Sequence, residues 1–173
     1  FLVCFYFSNA NNIQVNNISL ENLNEVSNWV HVEFDLFWEN SWRISSGPSN
    51  WDAAWVFIKY RVNNGPWTHG IVSQANSVAP AGATMDVTSD GMGAFIYRDV
   101  NGSGNVNFQD IQLRWNFGST DTDDIIDIQV FAIEMVYVPE GAFYLGGTTG
   151  DESNKFHAGG FSTSSSYQVT SEN

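Results

Sequence analysis

Trp29-Val30-His31-Val32-Glu33-Phe34-Asp35-Leu36-Phe37-Trp38 places an apolar residue at every even position, with His31, Glu33 and Asp35 between them. Successive side chains of a β-strand point to opposite faces, so this period of two predicts a half-buried strand. His31 reads as a solvated residue of the outer face, because no second His or Cys lies near it in sequence. Ala53–Val62 repeats the pattern, with Val56, Ile58, Tyr60 and Val62 opposite Lys59 and Arg61. Asn63-Asn64-Gly65-Pro66 then supplies turn residues that tolerate positive φ, and Trp67–Val72 can return as a partner strand. Ile111-Gln112-Leu113-Arg114-Trp115-Asn116-Phe117 is the cleanest alternation in the chain. Ile13–Leu20, Ala83–Thr88 and Gly93–Arg98 are further, shorter candidates, and Ile125–Glu134 closes the set. No long window carries a 3.6-residue period. The pattern predicts an all-β fold, an antiparallel β-sandwich of immunoglobulin or fibronectin type III type, with a jelly roll as the alternative.

The chain has 173 residues, 6 Lys and Arg against 19 Asp and Glu, and a net charge of -13. That length suits one domain, or one domain and a piece of another. A pI near 4.2 argues against phosphate-bearing partners, so neither nucleic acid nor an anionic membrane surface is expected. Hydrophobic residues make up 43% of the chain, enough for a core, and the 15% aromatic share with seven Trp favours strands.

Residues 1–10, Phe-Leu-Val-Cys-Phe-Tyr-Phe-Ser-Asn-Ala, form an apolar run ending in small residues, as at the end of a secretory signal peptide cut after Ala10. A buried first strand is the alternative. The run is too short to span a membrane, which takes about 20 apolar residues. Cys4 is the only cysteine, so cleavage after Ala10 leaves no thiol for a disulfide or a metal. These features predict a secreted, cell-surface or periplasmic protein. After Gly146 the chain turns to Gly, Thr, Ser, Asp and Asn, until Tyr167-Gln168-Val169-Thr170 reads as a strand.

Met135-Val136-Tyr137-Val138-Pro139-Glu140-Gly141-Ala142-Phe143-Tyr144-Leu145-Gly146 reads as two short strands around a Pro-Glu-Gly turn. It resembles the opening hairpin of the formylglycine-generating-enzyme, or sulfatase-modifying factor, family, whose pattern is Met-x-x-(Ile/Val)-Pro-Gly-Gly-x-Phe-x-Met-Gly. Met135, Val138, Pro139, Gly141, Phe143 and Gly146 match, whereas Glu140 and Leu145 depart from it. The resemblance covers residues 135–173 and implies the start of a longer domain. The family's redox cysteines, copper site and calcium ligands belong further downstream, so it carries no catalytic residue into this chain. The other reading of the hairpin is the last two strands of the sandwich. Phe34–Arg43 and Asn50–Phe57 look like the N-terminal region of secreted Bacteroidota proteins that carry such a domain. The expected organisation is a signal remnant at 1–10, a sandwich at 11–134 and a truncated second domain, opening with a β-hairpin, at 135–173.

Asp99-Val100-Asn101-Gly102-Ser103-Gly104-Asn105-Val106-Asn107-Phe108-Gln109-Asp110 fits the twelve-residue calcium loop. Asp99, Asn101, Ser103, Asn107 and Asp110 fall at oxygen-ligand positions, Asn105 would offer its carbonyl, and Gly104 takes the sharp turn. It resembles the dockerin form of that loop, but its flanks read as strands rather than helices. Weak Ca2+ binding and a Gly/Asn-rich hairpin loop both remain open. Asp121, Asp123, Asp124 and Asp127 form an acidic cluster that reads as a solvated, edge-blunting loop or as a second calcium site. His31, His69 and His157 sit in no nucleophile or metal motif, and Glu33 with Asp35 are too weak a pair to assign glycosidase chemistry. Trp42, Trp51 and Trp67 lie near strand ends, where they would stack on sugar rings or plug the ends of the core. The expectation is a non-catalytic extracellular accessory module before a formylglycine-generating-enzyme-like domain. The alternatives are a calcium-assisted module binding a glycan or a cell-surface protein, and part of an enzyme whose active site lies downstream.

Overall fold

The computed structural model describes residues 11–47, 49–121, 123–136, 142–145 and 167–170. The proposed signal segment, residues 1–10, lies outside them. The chain divides into two compact units between Tyr137 and Val138.

The first unit is an antiparallel β-sandwich. Strands β1 (Gln14–Asn24), β2 (Trp29–Ile44), β8 (Gly102–Asn116) and β5 (Ile71–Val78) make one layer, in the order β1-β2-β8-β5. The other layer centres on β3 (Asn50–Val62), which pairs along its length with β9 (Ile126–Val136). The opposite edge of β3 takes the two-residue β4 (Thr68–His69) and β7 (Ala94–Arg98), and β7 in turn pairs with β6 (Ala83–Val87). The layers join at one corner, where β2 and β3 pair through Arg43 with Trp51 and Ile44 with Asn50. In the small second unit, β10 (Phe143–Leu145) pairs antiparallel with β11 (Tyr167–Val169).

The even-numbered face of β2 supplies the core, as the alternation predicts. Val32, Phe34, Leu36 and Trp38 are fully buried against Ala54, Val56, Ile58 and Ile96 of the facing layer. Two expectations change. Gly102–Asp110 is strand rather than loop, because its backbone pairs with β2 from Phe37 to Arg43, and that pairing outweighs a Gly/Asn-rich composition. Among the described residues, Met135 and Val136 do not pair with Phe143–Leu145, and the Pro139–Gly141 turn lies outside those residues. Met135 and Val136 continue β9 opposite Ala53 and Asp52, while Phe143–Leu145 finds its partner at Tyr167–Val169.

The first layer shifts register five times, and each shift holds an Asn or Asp in the left-handed region. These residues are Asn17 and Asn22 in β1, Asn40 in β2, Asn76 in β5 and Asp110 in β8, with φ between 53° and 66°. Asn and Asp tolerate that conformation better than other non-glycine residues. Each extra residue resets the alternation, which is how Phe108 and Ile111, three apart, both face the core.

The outer face of β2 ties these bulges together. Asp35 accepts from Asn17 Nδ2 at 2.6 Å and from the Asp110 backbone N–H at 3.0 Å, linking β1 to β8. Glu33 accepts from Gln112 Nε2 at 2.8 Å. His31 is not solvated: it is 6% exposed. Its Nε2 lies 2.6 Å from the Asn76 carbonyl oxygen, and its Nδ1 lies 3.2 Å from Asn22 Nδ2. A carbonyl oxygen only accepts, so Nε2 donates and Nδ1 accepts. Alternation assigned His31 to the outer face correctly, but it does not reveal what covers that face.

Candidate functional site

The six proposed calcium ligands are strung along β8 and the β7–β8 connection, which crosses from one layer to the other. Asp99 is exposed in its turn. Asn101 Oδ1 accepts from the Ser45 N–H at 2.9 Å, and Asn105 Oδ1 from the Asn40 N–H at 3.3 Å. Ser103 pairs with Trp42 and Asn107 with Phe37 across the ladder, and Asp110 sits in its bulge. At about 3.3 Å per strand residue, Gly102 and Asp110 are separated by roughly 25 Å. This extended stretch therefore does not gather these oxygens around one point. Among the described residues, no group of three or more His, Cys, Asp or Glu is placed to hold a metal. In the acidic cluster, Asp127 pairs with Arg61 at 2.8 Å and Asp124 accepts from Asn63 Nδ2 at 2.6 Å.

Trp42, Trp51 and Trp67 do not share a surface. Trp51 stands opposite Arg43, so the preceding residue, Trp42, projects to the other side of the β2–β3 ribbon, where its Nε1–H donates to Asn50 Oδ1 at 2.7 Å. Trp67 packs under the Arg61 guanidinium, 5.0 Å from its ring centre. Arg61 lies ten residues along β3 from Trp51, roughly 33 Å away. The Arg43 guanidinium lies 5.3 Å from the Trp51 ring and 5.2 Å from that of Tyr97. An Arg at this range is held by the ring quadrupole.

Among the described residues, the β2–β3 corner carries a connected network of buried polar groups. Asp52 is completely buried and accepts three hydrogen bonds, from Trp38 Nε1 (2.5 Å), Ser41 Oγ (2.9 Å) and the Trp42 backbone N–H (2.9 Å). Ser41, also completely buried, accepts from Arg98 Nε at 3.0 Å. Arg98 Nη2 donates to the Gly104 and Asn105 carbonyls, while its own carbonyl accepts from Arg43. Every member is occupied by another, so the network fixes the corner where the layers meet.

The outer face of the second layer is where sequence reading missed most. Trp55 packs on Phe95 with ring centres 4.8 Å apart, and the missing side chain of Gly93 makes room: a Cβ there would sit 2.6 Å from the Trp55 ring. Phe57 is stacked between Phe131 (5.1 Å, 9°) and His69 (5.7 Å, 13°). Phe57, in the middle of this stack, therefore offers solvent its rim rather than its faces. Beside them Ile133 and Met135 are 51% and 45% exposed. Toward the corner this face deepens into a groove of about 350 Å³ between Trp51, Phe95, Tyr97, Asp86 and Met135. Tyr97 donates to Asp86 at 2.5 Å. Burial and that bonded carboxylate push its hydroxyl up to about 12, with Arg43 opposing. The overlooked signal was that Ala53–Ile58 and Phe131–Val136 have apolar residues at both parities, as in a strand with two apolar faces.

The described molecule is an antiparallel all-β sandwich with a rigid polar corner and one apolar outer face. No family model, curated protein or solved structure matches the chain.

Proposed function

We propose that this chain is a non-catalytic accessory module of an extracellular or cell-surface protein, preceding a formylglycine-generating-enzyme-like domain, and that it acts by docking onto another protein. The observation that carries the docking reading is the row Phe131, Ile133 and Met135, exposed on β9 beside Phe57, Trp55 and Phe95. An antiparallel sheet that faces water on one side ordinarily keeps that side polar, and a contiguous apolar exception marks a contact surface. Stacking on sugar needs free aromatic faces, whereas Phe57 gives both of its faces to Phe131 and His69. An apolar protein surface fits upright ring edges and aliphatic chains better than a glycan does. The extracellular setting rests on the apolar run at residues 1–10, and the following domain on the Met135–Gly146 motif.

The test is a photo-reactive amino acid at position 133 of the intact protein on its producing cells, with the same probe at exposed position 107 on β8 as control. Protein adducts at 133 and not at 107 are expected. Glycan-array binding that Trp51→Ala removes, with no protein adduct at 133, would overturn the docking reading.

A further inference from the structure

At the end of the sandwich where the β1–β2 turn approaches the β8–β9 connection, a separate pocket of about 320 Å³ opens. Its apolar wall includes Leu20 and Leu23 of β1, Val30 of β2 and Ile126 of β9, and its rim carries Asp121 and Asp124 from the connection. Leu20 and Leu23 are three residues apart, a spacing that strict alternation would send to opposite faces. Left-handed Asn22 inserts one residue between Glu21 and Asn24 and brings both leucines to the same wall. They remain 39% and 52% exposed, so this apolar surface is open to water. The volume is at the small end of ligand pockets, roughly 300–1,000 Å³.

The rim decides the ligand class. Asp124 accepts from Asn63 Nδ2 at 2.6 Å and from the Asp121 N–H at 3.3 Å, while Asp121 accepts from the Asp123 N–H at 3.1 Å. A carboxylate has about four acceptor positions, so both retain capacity beyond these bonds. No Lys or Arg is among the described residues that line the pocket. An anion would meet this rim, and the field of a chain of net charge -13, as repulsion. A sugar would find partners at the rim for only some of its hydroxyls and would bury the others against Leu, Val and Ile. We infer that the pocket binds a small organic cation with an apolar body, an aryl- or alkylammonium, whose body rests on Leu20, Leu23, Val30 and Ile126 and whose ammonium donates to Asp121 and Asp124. This inference does not depend on the docking face.

The test titrates the whole chain with 2-phenylethylammonium, its neutral analogue 2-phenylethanol and the anion 3-phenylpropanoate, following the Leu20 and Leu23 methyl signals by NMR. The ammonium is expected to bind on the order of ten-fold more tightly than the alcohol, and the anion more weakly than either. Asp121→Asn with Asp124→Asn should bring the ammonium down to the affinity of the alcohol, and Leu23→Ser should weaken both. If the double variant unfolds, Asp121→Asn alone should still narrow the gap, since it keeps the Asn63–Asp124 bond. Equal affinity for ammonium and alcohol, shifts outside the pocket, or no binding at millimolar concentration would overturn the inference.

Discussion

Asp52 holds three donors, two of them on completely buried side chains. A buried donor that loses its acceptor costs about 1–3 kcal/mol, more than the net worth of the bond itself. Asp52→Ala strands the Trp38 indole, the Ser41 hydroxyl and the Trp42 amide together. Urea unfolding should therefore show a loss of roughly 3–5 kcal/mol, with Asp52→Asn in between because one acceptor oxygen survives. A loss below about 1 kcal/mol would mean that the corner re-forms around other partners. Tyr97 gives a titration at the same scale. Its folded value is raised to about 12, first by burial and then by Asp86, so the folded chain keeps the phenol proton where the unfolded chain has lost it. The stability from this group is complete below pH about 10, the ordinary tyrosine value, and disappears as pH rises through 12. In an ultraviolet titration one phenol should ionise late, and Asp86→Asn should bring it earlier.

At the level of the strand, the left-handed Asn and Asp residues set the register. Asn76 is exposed in β5, and its backbone carbonyl, rather than a side-chain atom, receives the His31 bond. Its side chain can therefore be changed without touching that bond. Asn76→Gly should leave stability within about 0.5 kcal/mol, while Asn76→Val, which cannot hold positive φ cheaply, should cost about 1–2 kcal/mol by thermal or urea unfolding. Equal effects of the two would show that φ at this position is not the constraint. The same residues explain what sequence could not yield. Alternation located the inner face of β2, β3 and the far end of β8, where three or more even steps run unbroken. It lost the near end of β8 and the second half of β5, where Asp110 and Asn76 break the count. An Asn inside a strand carries no mark that tells a bulge from a turn until its partner strand is known. The calcium-loop resemblance arose the same way, because residues that serve a glycine-rich connection between layers and a bulge share the chemistry of oxygen ligands.

Across the whole molecule, the partition into two layers was legible because the core strands carry one strongly apolar face. The outer face of the second layer was not, since counting one parity of β3 and β9 as core leaves the other unexamined. That face opposes a second global property, the net charge of -13. At neutral pH, mutual repulsion opposes the approach of two copies, although Phe131, Ile133 and Met135 are exposed. Near the pI of about 4.2 the repulsion vanishes, and the apolar rows of two molecules are free to meet. Salt alone should have a weaker effect in the same direction, because at 0.15 M the screening length is still about 8 Å. Sedimentation velocity should thus show monomer at pH 7 and self-association close to the pI. Ile133→Gln leaves the charge untouched and removes an exposed apolar side chain from the middle of the row, so it should hold the monomer at both pH values. Association of the variant equal to that of the parent would place the self-contact elsewhere, and would leave the β9 row free for a different protein.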